Sequence, residues 1–247
     1  MSVQEASTAI ENRILSAAVE NRILSSLQPR KYRELFSALR PVSFLLREVL
    51  YEAGQPIRQV YFPERGLISV IAKRETGNGS LELGMIGKEG IVGLSVFLGE
   101  EITPHRYVAQ LPSAALALDV DIFKEAAERG GELQVLLQRF AQTFISQISQ
   151  STLCICFHNS EQRLARWLLL SQDYANSDEF PLTHEFVAQM LGIRRTGVTE
   201  AANLFKGANL IKYAYGKVSI LNRQKLEAVS CSCYRIVTAQ RKRLLGL

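Results

Sequence analysis

The sequence predicts an α+β protein in which an N-terminal antiparallel β-barrel or jelly roll is followed by a long helix and a C-terminal winged helix-turn-helix. Three observations predict this order. Short β-prone runs between turn residues fill 42–120, apolar residues recur at helical spacing over 132–157, and a helix–glycine–helix–hairpin pattern follows Pro181. The expected segments are an N-terminal helical extension (1–28), the barrel (29–131), a dimerisation helix (132–159), the winged helix-turn-helix (160–230) and a basic C-terminal tail or helix (231–247).

The composition is that of an ordinary globular chain. Of the 247 residues, 47% are hydrophobic and 21% are charged, and this length suits two domains better than one. No uninterrupted apolar run approaches the roughly 18 residues of a membrane-spanning helix. Residues 1–10 lack the basic start and apolar stretch of a signal peptide. We therefore expect a cytoplasmic protein without a membrane partner.

The charge is unevenly distributed along the chain. Residues 161–247 carry 13 Lys or Arg and 7 Asp or Glu, whereas residues 1–160 carry 16 and 17. The basic excess in the last third favours a polyanion such as DNA as the partner of that segment. A solvated basic face would have the same composition, so the charge alone leaves both interpretations open.

The predicted barrel follows a helical region. Residues 1–28 contain short amphipathic runs, and a helix is expected over Pro29–Leu39 because proline is well tolerated in a first turn. The candidate strands are Val49–Tyr51, Val60–Phe62, Leu67–Ala72, Leu81–Ile86 and Tyr107–Leu118. Many short strands separated by regular turns are typical of an antiparallel barrel or jelly roll.

The long helix is predicted over Glu132 to about Phe157. Its apolar stripe runs at three- and four-residue steps and includes Leu133, Leu137, Phe140, Phe144 and Ile148. A narrow apolar seam on a long helix favours pairing with a second copy of the same helix, so these residues are the predicted dimer contacts. The alternative is that the stripe packs on the barrel, and one helix can serve both contacts.

The helix-turn-helix is the motif on which the functional prediction depends. A helix from Ser160, its expected N-cap, to Tyr174 precedes a polar loop over 175–180. Thr183 is then expected to cap a first motif helix, and Gly192 stands where the chain must turn sharply with a positive φ. Val198, Ala201, Ala202 and Phe205 form the apolar stripe of the second helix.

The remaining residues of the second helix face outward near its N-terminus, the end that contacts base edges in a major groove. A hairpin with a glycine turn over 210–221 follows and is expected to lie along the DNA backbone as a wing. The predicted contacts with double-stranded DNA are Thr183, His184, Arg194, Arg195, Thr196, Thr199, Glu200, Lys212 and Lys217.

This order of domains resembles the CRP/FNR family of bacterial transcription regulators over nearly the full length. The match is densest from Leu182-Thr183 to Gly192 and continues through Arg195, Val198 and Leu210-Ile211. The resemblance implies a homodimer on a two-fold operator, contact with RNA polymerase, a barrel of the cyclic-nucleotide-binding type that acts as a sensor, and a guanine-reading role for Arg195.

Two positions of the second helix depart from the best-known family pattern. Thr196 stands where the family often has Glu, and Glu200 where it often has Arg. We therefore expect an operator that differs from the standard one.

The expected effector pocket departs further from the family pattern. Leu94 stands where cAMP-binding members place a carboxylate for the ribose, and Pro104 and His105 stand where an Arg and a Ser or Thr hold the phosphate. We therefore predict no tight cAMP binding and a small-molecule effector of unidentified chemistry, if one is used. The candidate pocket residues are Glu89, Gly93, Leu94, His105 and Arg106.

The four cysteines form two closely spaced pairs, Cys154 with Cys156 and Cys231 with Cys233. Residues two apart on a helix point in opposite directions, so one pair cannot easily ligate one ion, and we interpret the thiols as buried apolar groups. The cluster-binding branch of the family uses N-terminal cysteines, and no cysteine precedes residue 154. His105, His158 and His184 are too scattered in sequence to indicate a site. The sequence thus predicts no metal, no cofactor and no catalytic residues.

Two functional hypotheses remain at this stage. The first is a homodimeric, sequence-specific DNA-binding regulator. The second is a cyclic-nucleotide-binding-like regulatory module of a signalling complex, which would bind a nucleotide and no operator.

Overall fold

The computed structural model describes residues 19–74, 79–175 and 177–246, so most of the predicted N-terminal extension, residues 1–18, lies outside the described residues. Two short helices, α1 (Arg22–Ser25) and α2 (Arg33–Ala38), precede the first strand. Asn21 begins α1, and its Oδ1 accepts hydrogen bonds from the backbone of Ile23 and Leu24. Its Nδ2 donates to the carbonyls of Pro63 and Gly90 at 3.0 and 2.9 Å, which ties this helix to the sheet domain.

The sheet domain has the jelly-roll-like form of the predicted fold. Its strands lie in two antiparallel sheets that share one apolar core and do not close into a single barrel, with the orders β1-β7-β3 and β2-β6-β4-β5. The strands are β1 (Arg40–Phe44), β2 (Val49–Tyr51), β3 (Gln59–Arg65), β4 (Ile68–Lys73), β5 (Ser80–Ile86), β6 (Arg106–Ala109) and β7 (Ser113–Asp119).

The sequence analysis missed two features of these sheets. Strand β1 is an edge strand whose apolar alternation is limited to Val42 and Phe44, and Pro41 is tolerated at such an edge. The run expected as one strand over Tyr107–Leu118 is two strands in different sheets, because the chain turns at 110–112. The turn includes Pro112, which cannot donate a ladder hydrogen bond.

Three helices complete this half of the molecule. Helix α3 (Leu94–Phe97) follows Gly93, helix α4 (Val120–Glu128) follows β7 directly, and helix α5 (Glu132–Phe157) has the bounds that the sequence predicted. Asp119 caps α4 by accepting a hydrogen bond from the backbone N–H of Asp121. Positive φ values at Gly130 and Gly131 turn the chain between α4 and α5.

The predicted stripe of α5 packs on the sheet domain. Leu133, Leu137, Phe140 and Phe144 are at most 8% exposed within the single chain, with Ile148 partly buried beside them. Phe140 lies so close to Gly90 that a Cβ on this glycine would be 2.1 Å from the ring. The expectation that this stripe is the dimer seam is therefore wrong for these residues, and the alternative that it covers the barrel is correct.

The C-terminal half contains the predicted winged helix-turn-helix. Its elements are α6 (Ser160–Ala175), β8 (Glu179–Pro181), α7 (His184–Leu191), α8 (Arg195–Gly207), β9 (Ile211–Ala214), β10 (Lys217–Ile220), α9 (Arg223–Val229) and α10 (Cys233–Leu245). Asn159, rather than the expected Ser160, caps α6, since its Oδ1 accepts from the backbone of Gln162 at 2.9 Å. Part of the expected polar loop over 175–180 is strand β8, which pairs with β10 and buries Phe180.

The two halves share apolar surface. Leu67, Ile71, Met85 and other sheet-domain side chains belong to the same buried cluster as the helix-turn-helix core. Trp167 of α6 is buried in this cluster and donates its indole N–H to Glu82 on β5 at 2.5 Å. The orientation of the C-terminal half is therefore coupled to the sheet domain by side-chain packing.

Candidate nucleic-acid interface

The first helix of the motif, α7, forms as the sequence predicts. The Thr183 hydroxyl accepts a hydrogen bond from the backbone N–H of Phe186 at 3.2 Å and so caps the helix. Val187, Met190 and other apolar side chains face the core. Gly192 ends the helix with φ 61°, a left-handed conformation that costs a glycine little.

The second helix, α8, presents a polar surface at its N-terminus. Val198, Ala201, Ala202 and Phe205 are buried, as predicted. The side chains left outside this core at the start of the helix are those expected to contact DNA. Arg194, Arg195, Thr196 and Glu200 are exposed, and Thr199 is half-buried.

His184 stabilises the pairing of the two motif helices. Its Nδ1 lies 2.9 Å from the Thr199 hydroxyl, and its ring stacks on Tyr213 of the wing with centroids 4.5 Å apart. Burial, and secondarily the positive charge of Arg195, lowers the His184 pKa from its usual value. The side chain is therefore neutral at pH 7 and packs within the motif, and its contact with DNA stays a prediction.

Thr183 contacts the sheet domain as well as its own helix. Arg47, in the turn between β1 and β2, donates from Nη2 to the Thr183 hydroxyl at 2.8 Å, and its guanidinium lies over the Phe186 ring. Arg47 has φ 67°, which is uncommon for a residue with a side chain. No local pattern indicates this contact, because 136 residues separate the two partners.

The wing is a tight hairpin of β9 and β10. Tyr215 and Gly216 at its tip both have positive φ, as a two-residue type I′ turn requires. Lys212 and Lys217 are exposed, and Lys217 forms a 2.9 Å ion pair with Glu179 of β8. This ion pair lowers the Glu179 pKa. Tyr215, which the sequence analysis did not select, projects fully into solvent from the tip.

The predicted effector residues do not form one group. Glu89 is buried and lies between Gly87, Tyr174 of α6 and Arg241 of α10, at the contact between the two halves. Burial raises its pKa, and the positive charge of Arg241 opposes that rise. Glu89 is therefore an interdomain residue, a position that no local pattern indicates.

The other candidates lie near the β2–β6 pair. Gly93 has φ 102°, and a Cβ there would be 3.0 Å from the hydroxyl of Tyr51, whose ring packs against Tyr107. Leu94, which stands where cAMP-binding members place a carboxylate for the ribose, is buried.

His105 and Arg106 each carry a buried nitrogen without a hydrogen-bond partner in the described part of the chain, Nδ1 and Nε respectively. The outer nitrogen Nη2 of Arg106 forms a 3.1 Å ion pair with Glu52. Burial lowers the His105 pKa, so its ring is neutral at pH 7. The Arg106 guanidinium, which is the candidate replacement for the arginine that holds the phosphate in cAMP-binding members, is therefore already paired with Glu52.

The cysteines are arranged differently from the sequence prediction. Cys154 is buried near the end of α5, and Cys156 is exposed, as expected for residues two apart on a helix. Cys231 precedes α10 and Cys233 begins it, so this pair is not on one helix and both thiols point to Cys154. His158 joins them, and one ligand atom from each of the four residues lies within 4.8 Å of the others. Three of the four thiols are buried, as interpreted from the sequence, and of the three scattered histidines only His158 joins a group. The argument that two cysteines of one pair cannot meet at one ion does not apply to Cys231 and Cys233, because they do not lie on one continuous helix.

Comparisons with known proteins agree with this architecture. A family model of the cyclic nucleotide-binding domain matches residues 41–129, and one of the Crp-like helix-turn-helix domain matches residues 162–229. The global nitrogen regulator of Synechocystis sp. is 22% identical over 203 residues, 77% of this chain and 90% of that protein.

Solved structures show the same fold. A CRP-family transcriptional regulator from Thermus thermophilus is 19% identical with a TM-score of 0.65, over 76% of this chain and 96% of that one. FixK2 from Bradyrhizobium japonicum is 14% identical with a TM-score of 0.67, over 78% and 98%. At these identities the likeness is one of fold.

A jelly-roll domain joined by a long helix to a winged helix-turn-helix defines a class of protein, the DNA-binding regulators that carry a cyclic-nucleotide-binding-type domain. This chain belongs to the CRP/FNR family of transcription regulators. Among the described residues, no helix combines the length and apolar character that crossing a bilayer requires.

Proposed function

We propose that the protein regulates transcription as a homodimer on a two-fold-symmetric operator, with α8 of each protomer in a major groove. The observation that carries this proposal is the exposed group of Arg194, Arg195, Thr196 and Glu200 at the start of α8, beside the exposed lysines of the wing. Arg195 can bond a guanine through two nitrogens, whereas Glu200 can accept a hydrogen bond from a cytosine amino group. Contact with RNA polymerase stays a prediction from the family.

The wing supports the backbone part of this interface. Lys212 and Lys217 supply positive charge for phosphates, and Tyr215 at the tip supplies an exposed hydroxyl. Lys217 is already paired with Glu179, so binding through it exchanges a carboxylate for a phosphate. We therefore expect Lys212 to contribute more to DNA affinity than Lys217.

The dimer seam is the exposed face of α5, opposite to the stripe that packs on the sheet domain. Val135, Ile145 and Leu153 on this face are 45%, 53% and 44% exposed in the single chain. Val135, Gln142, Ser149 and Cys156 recur at seven-residue spacing with exposed side chains, and this spacing keeps one line of residues facing a partner helix. A second copy of the same helix, related by a two-fold axis, is the occupant that this face fits.

The sheet domain does not bind cAMP tightly in this proposal. Leu94 supplies no carboxylate for a ribose, and Arg106 is paired with Glu52 rather than free for a cyclic phosphate. The unpartnered nitrogens of His105 and Arg106 mark the place where a different effector would form hydrogen bonds. Calorimetric titration of the purified protein with cAMP should give no heat of binding, and a micromolar dissociation constant would contradict this part of the proposal.

Selection of bound duplexes from a random DNA pool tests the function. The expected result is an inverted repeat whose half-site centres are about one helical turn, roughly 34 Å, apart. Enrichment of a single half-site would contradict the dimer but not DNA recognition. No enrichment of any duplex, with and without a small-molecule extract of cells as a source of effector, would overturn the proposed function.

A further inference from the structure

A cluster of three cysteines and one histidine lies where the long helix ends. Cys154 is 1% exposed, Cys231 4% and Cys233 0%, and His158 is half-buried beside them. The two sulfurs of Cys154 and Cys231 are 3.5 Å apart, and the Cys233 sulfur is 3.4 Å from Nδ1 of His158. All four ligand atoms lie within 4.8 Å of one another. Neither family model covers any of these positions, because the matched ranges are 41–129 and 162–229.

Local backbone geometry explains why the four side chains converge. Cys154 and His158 are four residues apart, and the backbone N–H of His158 still bonds to the Cys154 carbonyl, so both occupy one side of the last turn of α5. Cys231 precedes α10 in a turn closed by a hydrogen bond from the Tyr234 N–H to the Cys231 carbonyl. This turn places the Cys231 and Cys233 thiols side by side, which a continuous helix would not.

The distances fit one tetrahedral ion. With Zn–S bonds near 2.3 Å and Zn–N bonds near 2.0–2.1 Å, neighbouring ligand atoms in a tetrahedron are about 3.5–3.8 Å apart. The Cys154–Cys231 and Cys233–His158 separations are already within about 0.2 Å of this range. The protein ligands of an iron–sulfur cluster are divided between two or four iron atoms, so the whole set spans a larger volume than the ligands of a single ion do.

The surroundings suit three thiolates. Gln150 Nε2 lies 3.1 Å from the Cys233 sulfur and can donate a hydrogen bond to it, an outer contact of the kind that orients metal ligands. Arg163 and Arg166 of α6 line the same cleft as Cys154. Their positive charge offsets the net negative charge that three thiolates and one divalent cation would leave.

The geometry points to a structural Zn²⁺ site formed by Cys154, His158, Cys231 and Cys233, which fastens α10 to the end of α5. Three thiolates and one imidazole are a common ligand set for structural zinc, and soft sulfur ligands disfavour Mg²⁺ and Ca²⁺. Since α6 begins two residues after His158, the bound ion fixes the junction between the long helix and the DNA-binding half.

The first test is the metal content of the full chain, purified anaerobically with reductant from zinc-supplemented medium. Wild type and Cys156→Ser should each hold one zinc ion per chain, and Cys231→Ser and Cys233→Ser should lose it. Cys156→Ser is the matched control because that thiol is exposed on the same helix. Absence of zinc from the wild type, iron in its place, or equal retention by Cys231→Ser and Cys156→Ser would overturn the proposal.

The second test uses the wild-type protein, so it does not require that a cysteine variant folds. Co²⁺ added to the metal-free wild type should give a thiolate-to-cobalt charge-transfer band and the intense visible bands of a tetrahedral complex. Only the weak spectrum of hydrated Co²⁺, from protein whose circular dichroism is native, would contradict the site. Chelator should lower the melting temperature of wild type and Cys156→Ser and leave that of Cys231→Ser unchanged, because an ion bound only to the folded state stabilises it.

These measurements use no DNA. A failure here therefore leaves the proposed DNA recognition unaffected, and a failed operator selection leaves the metal site unaffected.

Discussion

The indole N–H of Trp167 donates a hydrogen bond to the carboxylate of Glu82 at 2.5 Å, and this bond joins α6 of the DNA-binding half to β5 of the sheet domain. The other carboxylate oxygen, Oε1, is buried without a hydrogen-bond partner among the described residues. Burial raises the pKa of Glu82 from 4.5 to about 7, and the Trp167 hydrogen bond opposes part of that rise. The contact between the two halves thus contains a carboxyl group that titrates near neutral pH.

Glu82 should make the stability of the protein depend on pH. Its pKa is higher in the folded state than in the unfolded state, so the folded state holds a proton more strongly between pH 4.5 and about 7. The stabilising contribution is complete below pH 4.5 and is lost as pH rises to about 7 and beyond. A shift of this size corresponds to about 3 kcal/mol. The free energy of unfolding of wild type minus that of Glu82→Gln should fall by that order between pH 4.5 and 8, measured by urea denaturation.

A surface variant provides the control for this measurement. Glu185 is an exposed carboxylate on α7, so Glu185→Gln changes the same charge without changing the buried contact. Its stability should follow that of wild type across the range. A constant difference between wild type and Glu82→Gln at all pH values would show that Glu82 has no raised pKa.

Arg195→Ala should weaken binding to the selected operator by about 1–3 kcal/mol and relax the preference at one base pair of each half-site. The reason is that an exposed arginine at the start of α8 reads a base edge and carries sequence information. Lys212→Ala is the matched control, because loss of a phosphate contact should weaken operator and random DNA alike. Fluorescence anisotropy at fixed salt measures both. Equal losses of Arg195→Ala on the two DNAs would assign Arg195 to the backbone.

Ile145→Asp should convert the dimer to a monomer, because it places a charge in the proposed seam of α5. Leu98→Asp, which changes an exposed apolar residue outside α5, should leave the dimer intact, and light scattering after size-exclusion chromatography measures the mass of each. Mild oxidation offers an independent check. Cys156 occupies the same seven-residue repeat as Val135, so two parallel helices should crosslink through it, and Cys156→Ser should not crosslink.

Thr183→Ala should destabilise the protein by about 1 kcal/mol, because the variant loses the cap of α7. It also loses the acceptor of the Arg47 hydrogen bond. Thr183→Ser keeps a hydroxyl at the same place and should retain most of the stability in thermal unfolding. If the serine variant is as unstable as the alanine variant, the threonine methyl rather than the hydroxyl is responsible.

The parts of the fold that the sequence predicted well depend on local interactions. The cap at Thr183, the left-handed turn at Gly192 and the hairpin turn at Tyr215-Gly216 each arise from a few neighbouring residues, so their patterns are visible in the sequence. The apolar stripes of α5 and α8 were also found, because helical spacing is a local property. The edge strand β1 was missed, since its two half-buried apolar residues, Val42 and Phe44, are too few to define a pattern.

By itself, the sequence determined the long helix, the two motif helices, the wing hairpin and most of the strands, and which residues point outward from the second motif helix. Only the tertiary structure decided what each surface faces. It placed the stripe of α5 against the sheet domain, Glu89 between the two halves, and Cys231 and Cys233 beside Cys154. The physical reason is that burial and side-chain proximity depend on contacts between residues as far as 136 positions apart, whereas local patterns report only the conformation of the segment that contains them.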